Sequence, residues 1–146
     1  ILSMIAAPSF EGMMVRSVIR SVSSDLGSDL NLARNEAIRT GNRVTLCPRQ
    51  DDTTCGTDWN NGWLVFRDQS GALGVRDGTD IVIQAHQAIT SPVTLARTDA
   101  TGAISYFPGG SAANGSLVAL EIRHPHTKGR NLTLSAIGRL TTTVEP

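Results

Sequence analysis

The run Ala33-Arg34-Asn35-Glu36-Ala37-Ile38-Arg39-Thr40-Gly41-Asn42-Arg43-Val44-Thr45-Leu46-Cys47 contains a change of period. Before Gly41, apolar residues recur every three or four positions; after it they alternate. Followed backwards, the first pattern takes in Met14, Val18, Val22, Leu26, Leu30, Ala33 and Ala37. That is one apolar stripe along an α-helix of six turns or more. Arg16, Arg20, Ser23, Ser24, Asp25, Asp29, Arg34, Asn35 and Arg39 lie between the stripe positions and predict a solvated opposite face. Pro8 suits a kink or first turn and Gly41 a C-cap, which predicts a helix that ends near Thr40-Gly41-Asn42.

Followed forwards, the alternation predicts seven strands: Val44–Cys47, Trp63–Phe66, Ile81–Ile83, Ile104–Phe107, Leu117–Ile122, Leu132–Leu134 and Arg139–Val144. Within Leu117–Ile122, Val118, Leu120 and Ile122 share one face, and Leu117, Ala119 and Glu121 share the other. Turn signals separate the strands at Asp51-Asp52, Asn60-Asn61-Gly62, Ser70-Gly71, Asp77-Gly78, Gly109-Gly110, Asn114-Gly115, Lys128-Gly129 and Gly138. One long helix followed by short strands predicts an α+β fold: a long N-terminal helix packed on antiparallel β-sheets, with a sandwich-like globular part. The organisation expected is a helix over 1–41 and a β domain over 42–146. With 146 residues the chain has length for one domain of ordinary size.

Thirteen basic and thirteen acidic residues cancel, which excludes a uniformly basic or acidic surface; any charge effect must be local. Aromatics are 4% of residues, so the core must be aliphatic. The stretch Ile1–Ala7 is apolar, lacks an initiator Met, and is far shorter than the roughly 20 apolar residues that cross a bilayer. Its continuity with the helix predicts the surviving end of a membrane and filament anchor, with an upstream part removed.

Cys47 and Cys55 enclose seven polar, turn-prone residues. A disulfide closing that loop would contribute about 2–3 kcal/mol, and would place the domain in an oxidising compartment. Zinc would need two further ligands, and His86, His124 and His126 come from distant segments, so the disulfide is the expectation and a metal site is not. No nucleophile elbow, Walker or dinucleotide motif occurs, and Gly109-Gly110-Ser111 precedes no helix pattern. The expectation is a protein without catalysis and without a cofactor. Trp59 and Trp63 are expected in core and hairpin packing rather than as a ligand platform.

Asp29-Leu30-Asn31-Leu32-Ala33-Arg34-Asn35-Glu36-Ala37-Ile38-Arg39, Val44-Thr45-Leu46-Cys47-Pro48, Cys55 and Trp59-Asn60-Asn61-Gly62-Trp63-Leu64-Val65-Phe66-Arg67-Asp68 together resemble minor pilins of the GspH/FimT type. Ala7-Pro8-Ser9-Phe10 is similar to the point where type IV pilin helices leave the membrane. The resemblance implies a type IV pilin-like fold and a membrane helix whose leader is cleaved and N-methylated. It also implies an inner-membrane subunit with a periplasmic globular part, whose partners are other minor pilins and the major pilin. A pseudopilin of type II secretion is the corresponding member of the other branch; the cysteine-bearing Val44–Cys47 hairpin favours the pilus branch.

Some FimT-type pilins bind DNA through basic C-terminal residues that include Gly-Arg-x-Arg. Gly138-Arg139-Leu140-Thr141 keeps the first Arg and has Thr141 in place of the second. Arg123, His124, His126, Lys128, Arg130 and Arg139 fall in an acid-free stretch, whereas residues 51–80 hold six Asp and two Arg. Arg123, Lys128, Arg130 and Arg139 are therefore the candidate DNA contacts, with solvated strand faces or ion pairs to a filament neighbour as the alternative.

Overall fold

The computed structural model describes residues 7–98, 102–113 and 118–146. Helix α1 spans Ala7–Thr40, and the Gly41 N–H donates to the Ala37 carbonyl, ending the helix where the period changes. Eight strands follow: β1 Val44–Pro48, β2 Trp63–Arg67, β3 Ile81–His86, β4 Thr94–Arg97, β5 Ile104–Tyr106, β6 Val118–His124, β7 Thr127–Leu134 and β8 Leu140–Val144. They form two four-stranded antiparallel sheets, ordered β3-β2-β1-β5 and β4-β6-β7-β8. The α+β architecture expected from the change of period is the one observed.

The helix lies against both sheets. Ile19, Val22, Leu26, Leu30, Ala33 and Ala37 share one buried cluster with Val44, Leu46, Trp63 and Val65 of the first sheet and Leu120, Ile122, Leu132 and Leu134 of the second. The two alanines let the backbone come close to the strands, and the leucines fill the space around them. The central strands of sheet one, β1 and β2, are buried on both faces. Cys47, Leu64 and Phe66 form a second cluster on the sheet's far side, under Cys55 and Val82. Trp63 and Phe66 thus point to opposite faces of β2, as their odd spacing requires.

Four details of the sequence expectation are corrected. The stripe does not begin at Met14, which is 57% exposed; Val15 and the expected Val18 pack partly buried against the core, and the first buried residue among those described is Ile19, outside the expected stripe. Ser23 and Asp29 are buried rather than solvated. Strand β4 was not expected: it is four residues long, follows Pro92, and turns Arg97 inward, where the guanidinium donates to the Gly102 and Ala103 carbonyls. Lys128-Gly129 is not a turn but lies within β7, beside a register shift at Ile122–His124; the turn is at Pro125-His126.

Asn60-Asn61-Gly62 is the end of a short 3₁₀ helix, Trp59–Asn61, capped by the Asp58 side chain, which accepts from the Asn60 N–H. Gly62 has φ +91°, and a Cβ there would overlap the His86 carbonyl oxygen of β3, so both the backbone angle and the close approach require glycine. The expected anchor residues Ile1–Ala6, the Asn114-Gly115 turn and Leu117 lie outside the described residues. Among the described residues, no helix is long and apolar enough to cross a membrane.

Candidate functional site

The motif that reads from the helix into the first hairpin builds a scaffold. Asp29 reaches from α1 into the sheet, where its Oδ2 accepts from the Trp63 Nε1–H at 2.8 Å. Burial pushes the Asp29 carboxyl above its ordinary value, and the Trp63 bond and nearby His86 only partly offset this. His86 stacks on Trp63 with ring centroids 3.9 Å apart, and its Nε2 lies 3.0 Å from Asp25 Oδ2. Two helix carboxylates therefore clamp one tryptophan–histidine stack, fixing the rotation of α1 on sheet one.

Arg34, five residues beyond Asp29, fastens the other end. Its Nε–H donates to the Gly110 carbonyl at 3.0 Å, and its Nη2 to the Ile137 carbonyl at 3.4 Å. One side chain thus ties the β5 exit loop and the β7–β8 turn to the helix. Gly138 completes this knot: its φ is +86°, and a Cβ would collide with the Gly110 oxygen. Glu36 bridges Arg39 on its own helix and Arg67 of β2; the hydrogen bonds from Arg39 hold its carboxyl below the ordinary value.

The two aspartates that flank the 68–80 loop hold it closed. Asp68 is buried and accepts from Thr45 Oγ1 at 2.9 Å and the Gly74 N–H at 2.7 Å, with Arg43 at 3.4 Å. Asp80 accepts N–H bonds from Asp77, Ser70 and Gln69. Burial alone would raise its carboxyl, but these bonds outweigh burial and hold it below its ordinary value. Cys47 and Cys55 are joined as a disulfide, closing the loop beyond β1. Among the described residues, no group of three or more His, Cys, Asp or Glu is placed to hold a metal ion. His124 and His126 meet edge-to-face at 6.1 Å beside the hairpin turn.

The four candidate DNA contacts are not brought together. Arg123 lies on the outer face of sheet two, held by Glu121 at 2.6 Å and Glu145 at 3.7 Å. Arg130 is paired with Ile122, which is buried against the helix, and on its other side with exposed Val144, so it and Lys128 belong to the helix-side face. Arg139 stands opposite Ser135, just beyond the far end of β7 and five strand positions or about 17 Å from Arg130. Two cations that the sequence reading left on a solvated helix face take their places: Arg16 and Arg20 line one cleft together with Lys128 and Arg130. Their convergence depends on a pairing between segments some 110 positions apart in the chain, and no local signal reports it.

The family profile described as Type II transport protein GspH matches residues 23–138. Among solved structures, the chain is similar to the type IV minor pilin FimU of Pseudomonas aeruginosa. The match has a TM-score of 0.69 at 20% identity and covers 92% of each chain. It is also similar to the minor pseudopilin EpsH of the Vibrio cholerae type 2 secretion system. There the TM-score is 0.60 at 12% identity, covering 86% of this chain and 95% of that one. No curated protein matches it by sequence. With the profile covering most of the chain, and a long helix clamped to two antiparallel sheets in the pilin manner, this protein belongs to the GspH/FimT family of type IV pilin-like proteins.

Proposed function

We propose that the chain is a minor pilin, a non-enzymatic subunit that initiates or caps a type IV pilus through contacts with other minor pilins and the major pilin. The observation that carries this reading is the uncovered N-terminal half of α1. Met13 and Met14 are 67% and 57% exposed on a helix whose later turns bury Leu26, Leu30, Ala33 and Ala37 completely. A paired apolar exposure of this kind, on an element anchored to the core further along, marks a contact surface. In this reading the subunit waits in the inner membrane, held by a segment preceding the described helix, with its globular part in the periplasm, where the disulfide is stable. It then moves to the pilus tip.

Deleting the gene tests the reading. Loss of surface pili and twitching, restored by the intact gene, is the expected result; normal pili and twitching would overturn it. The same strain separates the second reading, a pseudopilus-tip subunit of type II secretion, which the family description favours. In that case pili remain and secretion of extracellular enzymes fails. Genome neighbourhood, pilin or secretion operon, gives an independent answer.

Action in DNA uptake is supported by Lys128 and Arg130, whose side chains have no ion pair among the described residues; the separation of Arg123 and Arg139 from them counts against it. A mobility-shift assay at low salt decides: DNA binding that falls in Arg130→Gln with Arg139→Gln would support uptake, with a log–log salt slope of about −0.9 per phosphate contacted. Absence of binding, or binding unchanged in that variant, would remove it.

A further inference from the structure

We infer that the cleft between the N-terminal half of α1 and the β6–β7 hairpin is a socket for an acidic peptide segment of a neighbouring subunit. The cleft encloses about 400 Å³; Arg16 and Arg20 form one wall, Lys128 and Arg130 the other, and Ile19 and Val144 add apolar surface. Four permanent cations thus converge in a chain whose total charge is zero, with no Asp or Glu among the lining residues. None of the four has a side-chain hydrogen bond or ion pair among the described residues, whereas Arg34, Arg39, Arg43, Arg49, Arg67 and Arg123 are all engaged. Arg16 and Arg20 stand one turn apart on the helix, where like charges repel. A cluster of this sort is uncompensated inside the subunit and becomes favourable when anions enter it.

The surroundings identify the anion as a polypeptide. Arginine forks match carboxylates in bidentate geometry. Ile19 and Val144 offer apolar contact to the methylenes and neighbouring side chains of such a segment, and exposed Met13, three positions before Arg16, extends the apolar strip along the same flank of the helix. In the lining a nucleic acid would find the single His126 imidazole and no Phe, Tyr or Trp on which to stack successive bases. It would also find no track of cations leading away from the cleft, since Arg123 is neutralised on the other face of the sheet and Arg139 is at its far end. That the segment belongs to a neighbouring subunit rests on the filament reading above.

The test is a titration of the isotope-labelled protein with a synthetic amphipathic peptide of glutamate and leucine at about 150 mM salt, where loose surface attraction is screened. Saturable binding is expected, with the largest amide shifts at Arg16, Arg20, Lys128 and Arg130. Arg16→Gln with Arg20→Gln should weaken it by about tenfold or more, and Lys128→Gln with Arg130→Gln, on the opposite wall, should do the same. Arg123→Gln with Arg139→Gln should leave it unchanged, and all three variants should melt with the parent. No saturation, shifts elsewhere, or indifference to both wall variants would overturn the inference. So would a DNA duplex that binds more tightly with the same dependence on the walls, or displacement of the peptide by an equal concentration of inorganic phosphate. This outcome is independent of the filament reading: normal piliation in the deletion strain would remove the neighbouring subunit but not the peptide binding, and absent binding would leave the piliation result untouched.

Discussion

Asp29 shows how single residues decide this structure. It follows Leu26 by three positions and precedes Ala33 by four, so it sits on the buried side of α1, and its carboxylate is tolerated there because Trp63 donates to it. Trp63→Phe keeps most of the packing but leaves that oxygen buried without its donor, and denaturant unfolding should show a loss of about 1–3 kcal/mol. The pH dependence of this site has a definite sign. Burial holds Asp29 above its ordinary 3.8, so the folded state takes up the proton first, and the site becomes more favourable as pH falls through the folded value. Asp29→Asn keeps an acceptor and removes the charge; its stability relative to the parent should be highest near pH 7 and decline on acidification. Asp80 runs the other way. Its folded value lies below 3.8, so its contribution is present above that pH and is lost as pH falls through the folded value. Asp80→Asn should therefore destabilise at pH 7 and flatten the acid limb of the stability curve. The sequence placed Asp29 on the solvated face because a charged residue was read by its type rather than by its helical phase.

At the scale of elements, the legible parts were those set by local chemistry. The end of α1 was readable because Gly41 interrupts a strong period, and seven strands because alternation and turn residues agree. Strand β4 was not, since its inward positions are Leu95 and Arg97, and the arginine is accommodated only by carbonyls from the next segment. Gly129 looked like a turn because glycine usually is one; here it stands where a Cβ would strike the Ile122 oxygen, at the register shift of the β6–β7 pair. The disulfide was legible from spacing alone, and it closes the loop that covers the outer cluster of Cys47, Leu64 and Phe66. Replacing both cysteines by alanine should lower stability by about 2–3 kcal/mol through the freed loop. In the parent, mass spectrometry after alkylation under denaturing, non-reducing conditions should find no label; labelling of both thiols would contradict the bond.

For the whole molecule, charge and apolar exposure divide the surface by function. The acidic 51–80 region spends Asp68 and Asp80 on closing its own loop, and Arg34 spends its charge on knotting two turns to the helix. Around the N-terminal half of α1, two exposed methionines lie near Arg16, Arg20, Lys128 and Arg130, four cations without a side-chain hydrogen bond or ion pair among the described residues. The sequence displayed these residues but not their neighbourhood, because the cleft is assembled from the helix and from strands at the opposite end of the chain. That concentration of unused contacts on a packed scaffold is the reason to read the chain as a subunit made for assembly. The most direct measurement is to shear pili from intact cells and probe the purified filaments for this protein. The account predicts that it is found there, in amounts far below the major pilin. Pili of normal number that lack it entirely, with all of the protein remaining in the cell envelope, would contradict it.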